Sequence, residues 1–254
     1  MSEPKAGETI AVWFSCGAAS YTALKVTLEK YPKCNVLALN NPIAEEDEDN
    51  IRFLNDAAER LGVDIISVTN RNYPSNSCVD VWETRKYMSG VGGAPCTGEL
   101  KKKARQQWER ENHTDWIVLG FTAEEKHRHD NFVTSERDDL LPVLIDSGIT
   151  KSDCYDVVKG DGLELPRVYS MGYPNANCIG CVKATSPTYW NHVRKVHPDV
   201  FNARAEQSDR LGVKLVRVRG KRIKLKDLDP SASGRPMKNM DFECGIFCKE
   251  ESIS

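Results

Sequence analysis

The chain has 254 residues, 40% of them hydrophobic and 28% charged, which is material for one packed α/β domain with an appendage and argues against disorder. The formal net charge of -2 speaks against a uniformly basic nucleic-acid binder. Met1 is followed by polar residues rather than a secretory signal, and no apolar run approaches the ~18 residues of a membrane span. A cytoplasmic protein with no membrane partner is therefore expected, and its nine cysteines point to buried thiols, redox chemistry or metal rather than disulfides.

In chain order, "TIAVWF" reads as a buried strand and Tyr21 to Glu29 as the helix behind it. "NVLALNN" is the next strand. Glu48 to Leu61 is the next helix, with Ile51, Leu54, Ala58 and Leu61 predicted on its apolar face. "VDIISVTN" is a third strand, "GELKKKARQQWEREN" a basic helix and "DWIVLGFT" a fourth strand. This alternation predicts a Rossmann-like α/β fold, a mostly parallel sheet with helices on both faces. Ligands of such sheets bind beyond the C-terminal strand ends. "SCGAAS", "NNPIAEE" and "GFTAEEKHRHD" all lie there.

Further on, "TKSDCYDVVKGDGLELP" reads as a helix capped at Thr150 or Ser152 and ended by Gly160. The turn-rich "MGYPNANCIGC" precedes a helical "PTYWNHVRKVHPDVFNARAEQSDRLG". The basic run from Lys214 to Lys226 is the last strand-like segment, and the tail reads as loop. The expected division is a nucleotide-binding domain over residues 1–185, including the Cys-x-x-Cys turn, and a C-terminal extension over 186–254 that carries a Cys-containing tail.

Two features carry chemistry. Backbone N–H groups at a helix start form an anion site without charged side chains. The small residues Ser15, Cys16, Gly17, Ala18, Ala19 and Ser20 would let a phosphate approach, with the serine hydroxyls as added donors; a turn that needs Gly17 only for its geometry is the other reading. The second feature is sulfur. Cys178 and Cys181 form a Cys-x-x-Cys turn suited to zinc, an iron–sulfur cluster or a redox disulfide. Cys96 sits before a basic helix whose dipole and Lys101 to Lys103 would stabilise a thiolate. Cys244 and Cys248 lie in the tail. Cys34, Cys78 and Cys154 read as small buried residues, with Cys16 set apart by its place in the loop.

The ordered segments "FSCGAAS", "PCTGELK", "LGFTAEEKHRHDNF", "LELPRVYSMGYPNANCIGC" and "ECGI" together resemble the PAPS reductase-like branch, phage type, of the adenine nucleotide α-hydrolase (PP-loop) superfamily. The resemblance spans Ile10 to Cys248. It implies that the first loop binds the phosphates or sulfate of an adenine nucleotide (PAPS, APS or ATP), and that Asn40 and Asn41 lie near adenine and ribose. It implies a nucleotide-covering region at Gly120 to Asp130. Arg128 is its main oxyanion contact; Lys126, His127 and His129 are lesser ones, and Glu124 is a candidate to position magnesium or water.

Two departures bear on the chemistry. Pyrophosphatases of the superfamily carry an aspartate where this chain has Ala19, which puts Mg2+-dependent ATP cleavage in doubt and favours a sulfonucleotide. "FECGI" resembles the tail of sulfonucleotide reductases, which makes Cys244 the expected nucleophile and a thioredoxin-like protein the expected electron donor, although Phe247 replaces the usual histidine. The resemblance also implies a 4Fe–4S cluster on Cys96, Cys178 and Cys181, with Cys244 or Cys248 as fourth ligand. Alternatives are an ATP-dependent sulfurtransferase of nucleic-acid modification, or a non-catalytic nucleic-acid-binding module with Lys214 to Lys226 on a phosphate backbone and Tyr189 and Trp190 stacking on a base. A homodimer is compatible with all of these.

Overall fold

A computed structural model describes residues 3–90 and 93–237. Its elements are β1 (Thr9–Trp13), α1 (Ala18–Lys30), β2 (Asn35–Asn40), α2 (Asp49–Leu61), β3 (Ile65–Ser67), α3 (Cys78–Arg85) and α4 (Lys103–Glu109). There follow β4 (Trp116–Val118), α5 (Lys126–Ser135), β5 (Leu140–Leu141), α6 (Val143–Asp146), α7 (Lys151–Gly160) and α8 (Arg167–Ser170). The chain continues through α9 (Pro187–Val196), α10 (Pro198–Arg210), β6 (Val216–Val218) and β7 (Lys221–Ile223). Among the described residues no helix is long and apolar enough to cross a membrane.

The chain forms two compact units. The first comprises residues 1–42, 48–68 and 106–167; the second comprises 43–47, 69–105 and 168–254. This differs from the expected boundary at residue 185: the Cys-x-x-Cys turn and residues 69–105 belong with the C-terminal helices. A sequence scan follows the chain, whereas packing here interleaves three segments of each unit.

The first unit holds a five-stranded parallel sheet in the order β3-β2-β1-β4-β5, the fold class expected. Alternation along β1 assigns its residues to opposite faces. Ile10, Val12 and Phe14 join Tyr21 and Leu24 of α1, Phe53 of α2 and Leu144, Cys154 and Val158 in one buried cluster. Trp13 points the other way and meets Trp108 of α4 edge-on at 6.4 Å. Of the predicted stripe on α2, Leu54 and Leu61 pack partly buried against the Phe14 cluster while Ile51 is 67% exposed; the fully buried residues are Asn50, Phe53 and Ala57. The aromatic stack of Phe53 on Phe14 (6.1 Å) sets the rotation of the helix. Helix α7 begins as read, with Thr150 and Asp153 capping reciprocally. Chain order reverses between β1 and β4, so the crevice at their C-terminal ends is the switch point where such sheets bind ligands.

In the second unit, Val81, Trp82, Met88, Tyr189, Trp190, Val193 and Phe201 build a separate core. The predicted basic helix after Cys96 is a π-helical turn, Thr97–Lys102, followed by α4. The long predicted helix is broken at His197, because the proline at 198 disfavours the α conformation in the residue before it. The basic segment is a hairpin, β6 antiparallel to β7, turned through Arg219 and Gly220, both at positive φ.

Candidate functional site

The loop after β1 is shaped by Ser20. Its buried hydroxyl accepts the N–H groups of Ser15 (3.1 Å) and Gly17 (3.2 Å) and donates to the Gly17 carbonyl (2.8 Å). The hydroxyl therefore holds the loop closed rather than serving as an outward donor. Cys16 sits at φ 56°, a left-handed conformation that costs a non-glycine residue energy and is held only where its surroundings fix it. The Asn40 amide provides part of that fixation, donating to the Phe14 carbonyl (2.8 Å) and the Cys16 sulfur (3.5 Å). Gly120, just beyond β4, lies so close that a Cβ there would stand 2.9 Å from the Ala19 carbonyl carbon and the Ser20 nitrogen.

Asn41 lies at the same strand ends. Its Nδ2 donates to the Val68 carbonyl (2.7 Å), while its buried Oδ1 has no hydrogen-bond partner among the described residues. A buried orphan acceptor is costly unless a ligand satisfies it. Among the residues of the predicted covering region, Arg128 forms an ion pair with Glu125 and lies over the Phe121 ring at 4.8 Å. Lys126 pairs with Asp130 at 2.7 Å, and His129 is buried, its Nδ1 3.1 Å from Asp130. Glu124 accepts the Lys151 N–H at the start of α7 (3.2 Å). That carboxylate helps to cap α7.

The second unit gathers sulfur. Cys78 is the first residue of α3, whose start is fixed by Ser77 accepting from Val79 N–H (3.1 Å) and by Glu45 accepting from Cys78 N–H (2.7 Å). The neighbouring Cys178 and Cys96 thiols, together with burial, push the Cys78 pKa well above the ordinary thiol value. Cys178 and Cys181 share a turn built on Gly180, which has φ +70° and no room for a Cβ against Val200 (2.9 Å). The Cys181 N–H donates to Tyr189 Oη at 2.8 Å, and burial holds the Tyr189 phenol far above its ordinary value. All four cysteines are buried in the same core. No disulfide joins any of the seven described cysteines.

Sequence reading had set Cys78 aside as a small core residue; the structure brings it together with Cys96 and Cys178. The missed signal is the serine-capped start "NSCVD", which fixes a thiol at the head of a helix too short to stand out by periodicity. Cys244 and Cys248 lie outside the described residues. Lys101 and Lys103 contact Glu46 (3.7 Å) and Glu99 (2.9 Å), so carboxylates offset their charges. Tyr189 and Trp190 are buried, Trp190 donating to the Ala184 carbonyl (2.8 Å), which removes them as stacking platforms for a base.

Whether this donor set suits a metal group follows from its chemistry. Four thiols in apolar surroundings match the all-cysteine ligation of an iron–sulfur cluster. Among the described residues no three His, Cys, Asp or Glu side chains are grouped so as to hold a metal ion. A polynuclear cluster spreads its cysteine ligands wider than one ion does, so thiols that adjoin one another here would have to part to admit it.

No family model matches the chain, and no curated protein matches it. Among solved structures it is similar to the U34-tRNA thiolase NcsA from Methanococcus maripaludis with its 4Fe–4S cluster. The identity is 14%, the TM-score 0.48, and the match covers 96% of this chain and 84% of the other.

Proposed function

We propose that this chain is a PAPS reductase-like enzyme of the PP-loop superfamily, binding an adenine sulfonucleotide at residues 15–20 and a 4Fe–4S cluster on Cys78, Cys96, Cys178 and Cys181. The observation that carries this reading is the burial of Cys78, Cys96, Cys178 and Cys181 in one apolar core, which gathers thiols from three chain segments. Four thiolates give one ligand to each iron and leave none open, which favours reduction over a sulfur-transfer scheme that needs an open iron. When bound, such a cluster supplies a redox-capable, charged centre.

On the nucleotide side, the start of α1 offers backbone donors to phosphate or sulfate oxygens. The orphan Asn41 Oδ1 is suited to accept from an adenine amino group or a ribose hydroxyl. With Ala19 the loop has no carboxylate for magnesium, which favours a sulfonucleotide over ATP cleavage. In this reading the Cys244 thiolate attacks the sulfate sulfur. A sulfur–sulfur bond forms, the bond from sulfur to the bridging phosphate oxygen breaks, and the nucleotide leaves with that electron pair. A dithiol donor of the thioredoxin class then supplies two electrons, releasing sulfite and restoring the Cys244 thiol.

The test is turnover by protein purified without oxygen, with PAPS, APS and ATP assayed separately in the presence of a reduced thioredoxin. Sulfite release from a sulfonucleotide, abolished by Cys244→Ser, is expected. Pyrophosphate release from ATP without sulfite from either sulfonucleotide overturns the reading. A second reading, sulfur transfer to a nucleic acid, is favoured by one specific observation: a cationic cleft in the second unit.

A further inference from the structure

The basic run divides into two halves with different electrostatics. Lys224 and Lys226 both pair with Asp209, at 2.5 and 2.6 Å. In the other half, Arg217 of β6 stands directly opposite Arg222 of β7 in the hairpin register. Like charges at directly opposed positions of an antiparallel pair repel. Among the described residues neither guanidinium has an ion-pair partner; Arg222 Nη1 is held by the Leu215 carbonyl at 2.9 Å. Burial, followed by the neighbouring Arg217, lowers the Arg222 pKa.

Both arginines line an open cleft of about 740 Å³ together with Lys86, Lys214, Tyr87 and Ser89. No carboxylate is among its lining residues. Lys86 has one loose partner, Glu83 at 3.7 Å. Lys214 and Arg217 are exposed, as are Arg219 and Lys221 at the hairpin turn, so the positive stripe runs past the mouth of the cleft. The cleft is too large for a single oxyanion, and its cations rise from two separate chain segments. A repulsive pair retained without a compensating carboxylate marks a functional surface, where a ligand supplies the missing charge.

We propose that this cleft binds the phosphodiester backbone of a single-stranded nucleic acid. Lys86, Lys214, Arg217 and Arg222 neutralise successive phosphates, and the Tyr87 ring faces a base, the combination by which single strands are held. The inference rests on the nucleic-acid reading above and gives that reading its substrate class. Binding at the cleft is read out without turnover, so its failure is distinct from a failure of catalysis.

The experiment is fluorescence anisotropy of the full chain with a labelled single-stranded oligonucleotide over a range of salt concentrations, alongside iron and sulfide analysis of the same preparation. Binding is expected, with log affinity falling on log salt at a slope of about -3 for four phosphate contacts. The Lys214→Ala/Arg217→Ala double variant should bind about tenfold more weakly at low salt and reduce the slope by roughly 1.4. Lys226→Ala, on the half neutralised by Asp209, should change neither quantity. Absence of binding, salt-independent binding, an unaffected double variant or an equal loss in Lys226→Ala each overturns the inference. Cluster content in a protein that does not bind would leave the reductase reading standing; binding by a protein with no cluster would leave the cleft standing and remove the cluster.

Discussion

Cys78 and Cys178 are buried in the same apolar core, the first at the head of α3 and the second in the turn that precedes α9. Neither cysteine reaches that position by chance of local sequence. Cys78 is set by Ser77 and Glu45 at the helix start, and Cys178 by a turn in which Gly180 admits no side chain. Separate local devices thus aim two thiols at one point in an apolar core. Such agreement across levels is expected of a built site and not of incidental burial.

The loop after β1 depends on one hydroxyl. Ser20→Ala removes the acceptor of two part-buried bonds, from Ser15 and Gly17 N–H, and should cost about 1 kcal/mol of stability. Denaturant unfolding measures that cost, and calorimetric titration with PAPS, APS and ATP should show weakened binding of whichever nucleotide the wild type takes. Unchanged stability would mean that water replaces the hydroxyl.

Gly120→Ala places a methyl group 2.9 Å from backbone atoms of Ala19 and Ser20, and backbone cannot yield as a flexible side chain can. An overpacking cost of about 1–3 kcal/mol is expected. Because the strain falls on the loop itself, nucleotide affinity should drop by about tenfold or more while the helical core of the second unit keeps its near-ultraviolet signature. A variant with wild-type nucleotide affinity would detach Gly120 from the site.

Asp161 accepts the Tyr21 hydroxyl (2.7 Å) and the Lys25 ammonium (2.6 Å), tying the end of α7 to α1. Burial by itself would raise the Asp161 pKa; the bonds from Lys25 and Tyr21 outweigh it and hold the carboxyl below its ordinary value. A depressed folded-state pKa gives stability that is present above the ordinary carboxylate range and lost as pH falls through the folded value. Asp161→Asn should therefore cost about 2 kcal/mol near pH 7, with the gap to wild type closing below about pH 4. Denaturant unfolding at the two pH values checks this; a gap that persists in acid would assign the effect to packing.

The sheet was legible because β1 and β2 are apolar runs closed by turn residues, and periodicity reports such strands well. The face of α2 was legible in part: Leu54 and Leu61 pack on the core, whereas Ile51 is exposed and Phe53, stacked on Phe14, takes the buried position. At the site, "SCGAAS" and "NCIGC" were visible as motifs. Cys78 was not, since no spacing rule links it to Cys96 or Cys178 and only folding brings them together. The basic run was visible as charge, but its division into a half paired with Asp209 and a half facing the cleft depends on the hairpin register.

The central claim is that Cys78, Cys96, Cys178 and Cys181 hold an iron–sulfur cluster. Its most direct test is iron, sulfide and visible absorbance of the full chain purified and reconstituted without oxygen, as wild type, Cys78→Ser and Cys34→Ser, with circular dichroism to verify folding. The account predicts about four iron and four sulfide per wild-type chain, the same in Cys34→Ser, and a marked loss in a folded Cys78→Ser. A colourless wild type without iron, or a Cys78→Ser variant with full cluster content, would contradict it.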